Sequence, residues 1–492
     1  MMMPHNTDSL VAVLDIGSNS VRLVFYEYRG NHAQPMFNEK HSCLLGEGVS
    51  EGGTLKKEAK EHVLRTIRRF AQLIHARKPN EVIVLATAAI RNARDGSSFA
   101  AELTKILGYP ITILTGKEEA LYAARGVLCT TYQPSGLVVD MGGGSTECAH
   151  IMSHGEVDAL CSLPMGVLGF TKYYQEHKDE GLARHLTDML KIVELPEIST
   201  LYAVGGSFRA IAKHHMRRHH YPLHVIHDYV LTRDEIEQLL QQMRHDVSKG
   251  IRLEAVPRRR YDGIIPALIV LHTLMVQSTA SRILFSSGGI REGALMTVHP
   301  PKLPYDPLLA MMQAVAVPHS DPHYRCALAD WILSVLPCDM HYERLVRAFC
   351  WVSDVAMTVH PDYRAEYAFE RMISTLGYGL MHNQQVMLAL ALYHRHRAKL
   401  KFKHPALDLL QEHQRCFAFI LGQLADMAYG ITAGCAHILH DYTPKRDPHT
   451  DDVLIQSHVG NDTLLDPILG NRHEELRDAM RLWLKHGKNL SR

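Results

Sequence analysis

The stretch that decides the fold is VAVLDIGSNSVRLVFYE (residues 11–27), two apolar runs of strand character joined by the turn Asp15-Ile16-Gly17-Ser18-Asn19-Ser20. Alone it reads as a β-hairpin, because β-branched and aromatic runs favour strands while Gly, Ser and Asn reverse the chain. The plan returns in GLVVDMGGGSTECAHI (residues 136–151): an apolar strand ending in Asp140, a glycine-rich turn and a return strand. Two more small-residue turns follow apolar runs in LYAVGGSFRAIA (201–212) and ILFSSGGIREGAL (283–295). Glycine lets backbone amides approach an anion, and consecutive amides in a turn make an anion-binding concavity. An aspartate closing each strand suits Mg²⁺ or its water shell beside a phosphate better than it suits phosphate itself. Competing phosphate motifs fail: there is no GxxxxGK[ST], and GEGVSEG (46–52) has one residue too many for GxGxxG.

Around these turns the pattern alternates. Ala59, Val63, Ile67, Phe70, Ala71 and Ile74 recur at helical spacing, and EVIVLA (81–86) and YPITILT (109–115) are compact strands. The alternation predicts an α/β domain. VHPPKLPYDP (298–307) carries four prolines and reads as a linker. Amphipathic helical runs follow it, with one short strand expected at DDVLIQSHV (451–459).

With 492 residues, several cores are available. Lys and Arg (53) balance Asp and Glu (52), so attraction to a polyanion has to be local, and neither a nucleic acid nor a membrane is the expected partner. The longest apolar run, PALIVLHTLMV (266–276), is too short to span a bilayer, and MMMPHNTDSL has no signal-peptide pattern, so a cytoplasmic protein is expected. Nine singly scattered cysteines predict reduced thiols rather than a disulfide framework or zinc site. KHHMRRHHYPLHVIHD (213–228) places His215 and His219 four apart, as metal ligands on one helix face would be. No completing ligand follows at a telling spacing, and a solvated, partly basic surface is the expectation.

DIGSNSVRL, ATAAIRNARDG, GKEEALYAARGV, VVDMGGGSTE, SLPMGVLGFT and GGIREGAL occur in an order and spacing that resembles the exopolyphosphatase and guanosine pentaphosphate phosphohydrolase family, over residues 11–296. That family is similar to actin, sugar kinases and heat-shock chaperones. The resemblance implies two ribonuclease-H-like (actin-like ATPase) α/β lobes, 1–130 and 131–299, with an interlobe cleft. The linker at 300–307 would lead to an all-helical HD-like domain at 308–492. It also implies Mg²⁺-dependent release of terminal phosphate from inorganic polyphosphate, with guanosine pentaphosphate or dual activity as the alternative. Guanosine penta- or tetraphosphate could be substrate or inhibitor. A kinase of the same fold and a non-enzymatic alarmone or polyphosphate sensor are remoter rivals, and a homodimer is possible.

Phosphoanhydride hydrolysis needs a positioned water, a base, and positive charge or amides on the phosphoryl oxygens. On a helix, Glu118 would share a face with Tyr122 and Arg125, whereas Glu119 aligns with Ala123 and Gly126, small residues that permit burial and hence a raised pKa. The resemblance assigns the base to this second position, Glu119. It assigns Asp140 and Glu147, with Asp15 as a third candidate, to Mg²⁺ or to ordering the water, and Arg91 to phosphate. Gly17, Ser18 and Asn19 would then face Gly143, Gly144, Ser145 and Thr146 as two phosphate loops, with Gly206 and Ser207 as a third. AVGGSFRA departs from the family's G-T-x-G-T form. Gly169 and Leu44 stand where the family often has arginines, which puts chain-length preference in question. In FCWVSDVAMTVHPDYRAEYAF (349–369) the HD pair reads Ser353-Asp354, so no second metal site is expected. A long polyanion needs an extended basic track, for which Arg258, Arg259, Arg260 and the run Arg395, Arg397, Lys399, Lys401, Lys403 are the candidates.

Overall fold

The computed structural model describes residues 9–47, 49, 53–300, 305–316, 321–398, 402–458 and 472–490. The chain divides into two compact units, 1–307 and 308–492.

The first unit is built on two sheets. β1 (Ser9–Ile16) and β2 (Ser20–Arg29) are the hairpin of the opening stretch, and β3 (His32–Ser42) continues it antiparallel; β4 (Glu81–Ala86) and β5 (Thr112–Ile113) add parallel strands on the other side of β1. The order is β3-β2-β1-β4-β5. β1 is central and its Val11, Ala12, Val13 and Leu14 are all buried, which is why it reads as an unbroken apolar run. β3 is an edge: it carries Pro35 opposite Tyr26, and the ladder shifts register between Phe25 and Tyr26.

The second sheet repeats the scheme. β6 (Gly136–Met141), β7 (Thr146–Ile151) and β8 (Val157–Leu163) are antiparallel neighbours. β9 (Thr200–Val204) runs parallel to β6, and β11 (Arg282–Phe285) runs parallel to β9. β10 (Tyr229–Thr232) closes the edge, for an order of β10-β11-β9-β6-β7-β8. Each lobe has its own apolar core: Leu14, Phe25, Ile67 and Phe70 in the first, Leu137, Phe170, Phe208 and Phe285 in the second. The helix Lys57–Arg77 buries the apolar stripe expected of it, apart from Ala71, which is half-buried. This is the two-lobed α/β architecture that the sequence predicts.

Two helices cross between the lobes at backbone distance, Gly116–Leu128 and Ile290–Val298. A Cβ on Gly126 would stand 2.2 Å from the Gly289 carbonyl oxygen, and one on Gly293 would stand 1.8 Å from that of Tyr122. Neither backbone can yield without moving a helix. Gly293→Ala is therefore expected to destabilise the unit by about 3 kcal/mol or more, beyond ordinary overpacking. Urea denaturation followed by circular dichroism checks this, and an unchanged midpoint would contradict it.

The second unit is helical, with Met340–Val352, His382–His394 and Glu412–Thr432 among its longer elements. It is not all-helical. The strand expected near residue 453 forms as Val453–Ser457 and pairs antiparallel with Tyr442–Arg446. Asp354 lies 3.4 Å from the buried Arg325 guanidinium, and the Ser353 hydroxyl donates to the Cys350 carbonyl. Of the expected linker, residues 301–304 lie outside the described residues.

Candidate active site

The two glycine turns have the same backbone closure. Gly17 N–H donates to Ser20 O, and Gly142 N–H to Ser145 O, each at 3.0 Å. The turns meet tip to tip: a Cβ on Gly144 would be 2.9 Å from Ser18 Oγ, and one on Gly143 would be 3.1 Å from Ser18 Cβ. Glycine at both positions permits this approach. Behind the turns lies a cleft of about 160 Å³, lined by residues of both lobes.

Strand register supplies its walls. In the first lobe Asp15 pairs with Arg22, and Arg22 with Lys40, so three charged side chains share one row across β1, β2 and β3. In the second lobe the equivalent row is Asp140, Glu147 and Ser162 across β6, β7 and β8. Directly opposed residues project from the same face, and like charges so placed repel. Arg22 beside Lys40 favours an anion; Asp140 beside Glu147 favours a cation or a proton.

Glu119 joins the acidic wall from the first turn of the helix Gly116–Leu128. Its neighbour Glu118 has another task. Thr115 and Glu118 form a capping box, in which the Thr115 amide donates to Glu118 Oε2 at 2.7 Å and the Glu118 amide donates back to the Thr115 hydroxyl. Glu118 is thereby held below the ordinary carboxylate range, chiefly by that backbone amide. Glu119 is only 3% exposed, and burial pushes it up to about 7 although Arg91 pulls it down. Asp140 rises to about 6 through burial, which the opposing pull of Arg209 does not offset. Burial, reinforced by the charge of Glu119, carries Glu147 well above its usual value, while Ser162 Oγ donates to Glu147 Oε1 at 2.9 Å. Asp15 is also raised by burial, against the pull of Arg291.

The cationic side consists of Arg22, Lys40, Arg209, Arg260 and Arg291, all on the cleft wall. Burial lowers Lys40 to about 8, and Arg260, Arg22 and Arg209 lower it further. Between the cations lies the start of the helix Gly206–Arg218, whose preceding Gly205 takes φ +116°, a conformation that strongly favours glycine. Its free amides and positive end suit an anion. Arg260 leans over this turn and donates to Ser207 Oγ at 3.1 Å.

Against known proteins, the sequence model of the Ppx/GppA phosphatase family matches residues 24–301. The chain belongs to the Ppx/GppA phosphatase family. Among solved structures it is similar to the Aquifex aeolicus member of that family, with 26% identity over 59% of this chain and 97% of that one, at a TM-score of 0.52. A structure of the Aquifex aeolicus PPX-GPPA enzyme matches with 25% identity over 59% and 99%, at a TM-score of 0.50. An exopolyphosphatase-like protein, 20% identical over 59% and 98% with a TM-score of 0.52, shares the fold.

Of the residues expected at the site, Asp15, Gly17, Ser18, Asn19, Glu119, Asp140, Gly143, Gly144, Ser145, Glu147, Gly206 and Ser207 line this cleft. Two expected phosphate ligands make protein contacts of their own. Thr146 is fully buried and its hydroxyl donates to the Met165 carbonyl. Arg91 donates to Leu114 O at 2.6 Å and to Glu119 Oε2, so it grips the carboxylate. Removing it in Arg91→Met takes away the positive charge holding Glu119 down. The acid limb of the activity profile should then move to higher pH, which a pH series of kcat/KM reads directly; an unmoved limb would separate Arg91 from the ionisation of Glu119.

Among the described residues, no group of three or more His, Cys, Asp or Glu side chains is gathered as a metal cage. The expected trio is therefore not one cluster, and Asp15 Oδ2 lies 4.0 Å from Arg291 Nε. Asp140 and Glu147 remain as a cross-strand carboxylate pair, and this hard-oxygen set fits Mg²⁺, which uses one or two carboxylates and completes its shell with water and phosphate oxygens.

The basic track needs correction. Arg395 is 4% exposed, bound to Asp426 and stacked 4.8 Å from the Tyr429 ring centre, so it is a buried structural cation. Arg397 pairs with Glu366, whereas Lys403, Arg258 and Arg259 are exposed; Lys399 and Lys401 lie outside the described residues. The histidine segment is a solvated surface only in part, with His219, His220 and His224 exposed. His214, His215 and His227 are buried, and His215 Nδ1 is hydrogen-bonded to the Tyr229 hydroxyl, with its ring stacked on His219.

The residues missed by sequence reasoning are Arg22, Arg209 and Arg291, each inside a motif already singled out for its glycines. Lys40 carries no local signal, because only strand pairing brings it to the cleft. The helices described contain no span long and apolar enough to cross a membrane.

Proposed function

We propose that this phosphatase is an exopolyphosphatase that removes the terminal phosphate of inorganic polyphosphate by attack of a water activated at Glu119. The observation that carries the reading is the division of one cleft into an acidic wall, Glu119, Asp140 and Glu147, and a cationic wall of five side chains. A single phosphate does not need five cations; a chain of them does.

The terminal phosphoryl group sits between the turns at Gly17–Asn19 and Gly143–Ser145, whose amides and hydroxyls donate to its oxygens. Arg22, Lys40, Arg209 and Arg260 take the following phosphates. Glu119, held by Arg91 beside the acidic row, accepts the proton of the attacking water; a base titrating near neutrality is well matched to that task. Asp140 and Glu147 would hold Mg²⁺, which when bound supplies charge neutralisation at the phosphoryl oxygens. The leaving phosphate chain departs as an anion still held by arginines, so no strong acid is required.

Phosphate release from long-chain polyphosphate, guanosine pentaphosphate and ATP, measured side by side with Mg²⁺, tests the substrate. Fastest release per enzyme from polyphosphate is expected. Preference for guanosine pentaphosphate would replace the reading with the nucleotide one, and release from none would leave a binding protein.

A further inference from the structure

The row that carries Glu147 and Ser162 has a second pair directly beside it, on the other face of the same two strands. Cys148 and Cys161 are register partners across β7 and β8, immediately before the ladder shifts register between Cys148 and Ala149. Neither is in a disulfide, and register sets the two thiol-bearing residues directly opposite each other. Cys148 is fully buried in the core of the second lobe, whereas Cys161 is half-buried at its margin. One cysteine thus stands at the margin of the core, where a small oxidant can approach, and the other lies opposite it.

We propose that Cys148 and Cys161 are an oxidation site, forming a cross-strand disulfide with peroxide that reversibly disables the phosphate-releasing cleft. The Cys161 sulfur attacks one peroxide oxygen; the O–O bond breaks, a first water leaves, and Cys161 becomes a sulfenic acid. The Cys148 sulfur then displaces the hydroxyl from that sulfur, and a second water leaves with the Cys148 proton. Two thiols and one hydrogen peroxide give one disulfide and two waters.

Geometry supplies the consequence. Opposed Cβ atoms in an antiparallel pair stand roughly 4.5–5.5 Å apart. A disulfide draws them to about 3.8 Å, so closure moves the strands together by about 1 Å. The adjoining pair must follow, and there Ser162 holds Glu147 at 2.9 Å. Ser162 also abuts the start of the helix bearing Glu119: a Cβ on Gly116 would stand 2.3 Å from the Ser162 Cβ. Two of the three carboxylates of the acidic wall, Glu147 and Glu119, are therefore coupled to the spacing of β7 and β8. Displacements of about 1 Å at a catalytic group can cost on the order of 100-fold in rate. A bond closed from a geometry that does not favour it is also easily reduced, as a reversible site in a reducing compartment requires.

The test treats the full chain with hydrogen peroxide, removes the excess, and divides each sample between peptide mapping by mass spectrometry and phosphate release with Mg²⁺. A Cys148–Cys161 linkage is expected, with activity falling roughly 10- to 100-fold and returning with dithiothreitol. Cys161→Ser should keep its activity through the treatment. The linkage is read by mass alone; the activity arm rests on the proposed function of the cleft. Absence of the linked peptide, a linkage with activity unchanged, or equal inactivation of Cys161→Ser would each overturn the proposal. An untreated enzyme that releases no phosphate would instead count against the reading of the cleft.

Discussion

Replacing Glu119 with glutamine is expected to lower kcat by roughly 10²–10⁴-fold, the range a positioned general base contributes, while leaving KM for polyphosphate nearly unchanged. Glutamine keeps the shape of the side chain and can still meet the cavity that Arg91 and Leu114 frame, but it cannot take a proton from water. The fold should tolerate the change. Because burial already disfavours the ionised form of Glu119, a neutral replacement removes an unfavourable charge. The thermal midpoint at pH 8 should therefore be equal to or above that of the parent, which separates loss of a base from loss of structure. A Glu119→Gln enzyme that turns over at more than about a tenth of the parent rate would take the role of base away from Glu119. Glu118 provides the control: Glu118→Gln keeps a residue that closes the capping box and should leave both stability and kcat nearly unchanged.

The second large effect concerns the acidic row and its cation. The raised carboxylates, Glu119 at about 7, Asp140 at about 6 and Glu147 higher than usual, bind protons more tightly folded than unfolded. Below their unfolded values, near 4, both states are protonated and the groups contribute nothing. Between there and about 7 the folded state holds the extra protons, so stability falls as pH rises. Above that range Glu119 and Asp140 carry the full cost of buried charge, on the order of 3 kcal/mol for Asp140 alone. Mg²⁺ needs the ionised forms, so the rise in thermal midpoint on adding it should grow between pH 5.5 and 8. Asp140→Asn should melt higher than the parent at pH 8 without Mg²⁺, and should lose both most of the Mg²⁺-induced rise and phosphate release. A Mg²⁺ shift that is independent of pH, or intact in Asp140→Asn, would remove Asp140 from the metal site.

The parts of this site that were legible in the sequence are those encoded by neighbours along the chain. The Asp-Gly-Ser turns announce themselves twice, and the small residues Ala123 and Gly126 mark which face of their helix is buried, hence which of two adjacent glutamates is. The lateral dimension was not legible. Lys40 reaches the cleft only because β3 pairs with β2 in a register set by the Pro35 irregularity, and Arg260 arrives from a distant turn to cover Ser207. Conversely, local signals misled where tertiary packing overrides them. Arg395 belongs to a basic run yet is buried against Asp426, and the histidine run is drawn partly into the core by Tyr229 and its neighbours. Thr146 sits in the right motif but its hydroxyl is spent on Met165, while Arg91 turns one guanidinium nitrogen to Glu119 and Leu114.

The most direct test of the central claim is to follow hydrolysis of long-chain polyphosphate with Mg²⁺ in isotopically labelled water. Attack at the terminal phosphorus predicts orthophosphate as the only small product, one labelled oxygen in each molecule released, none in the remaining chain, and almost no release by Glu119→Gln. Label in the remaining chain, release of larger fragments, or no orthophosphate from the parent enzyme would contradict it.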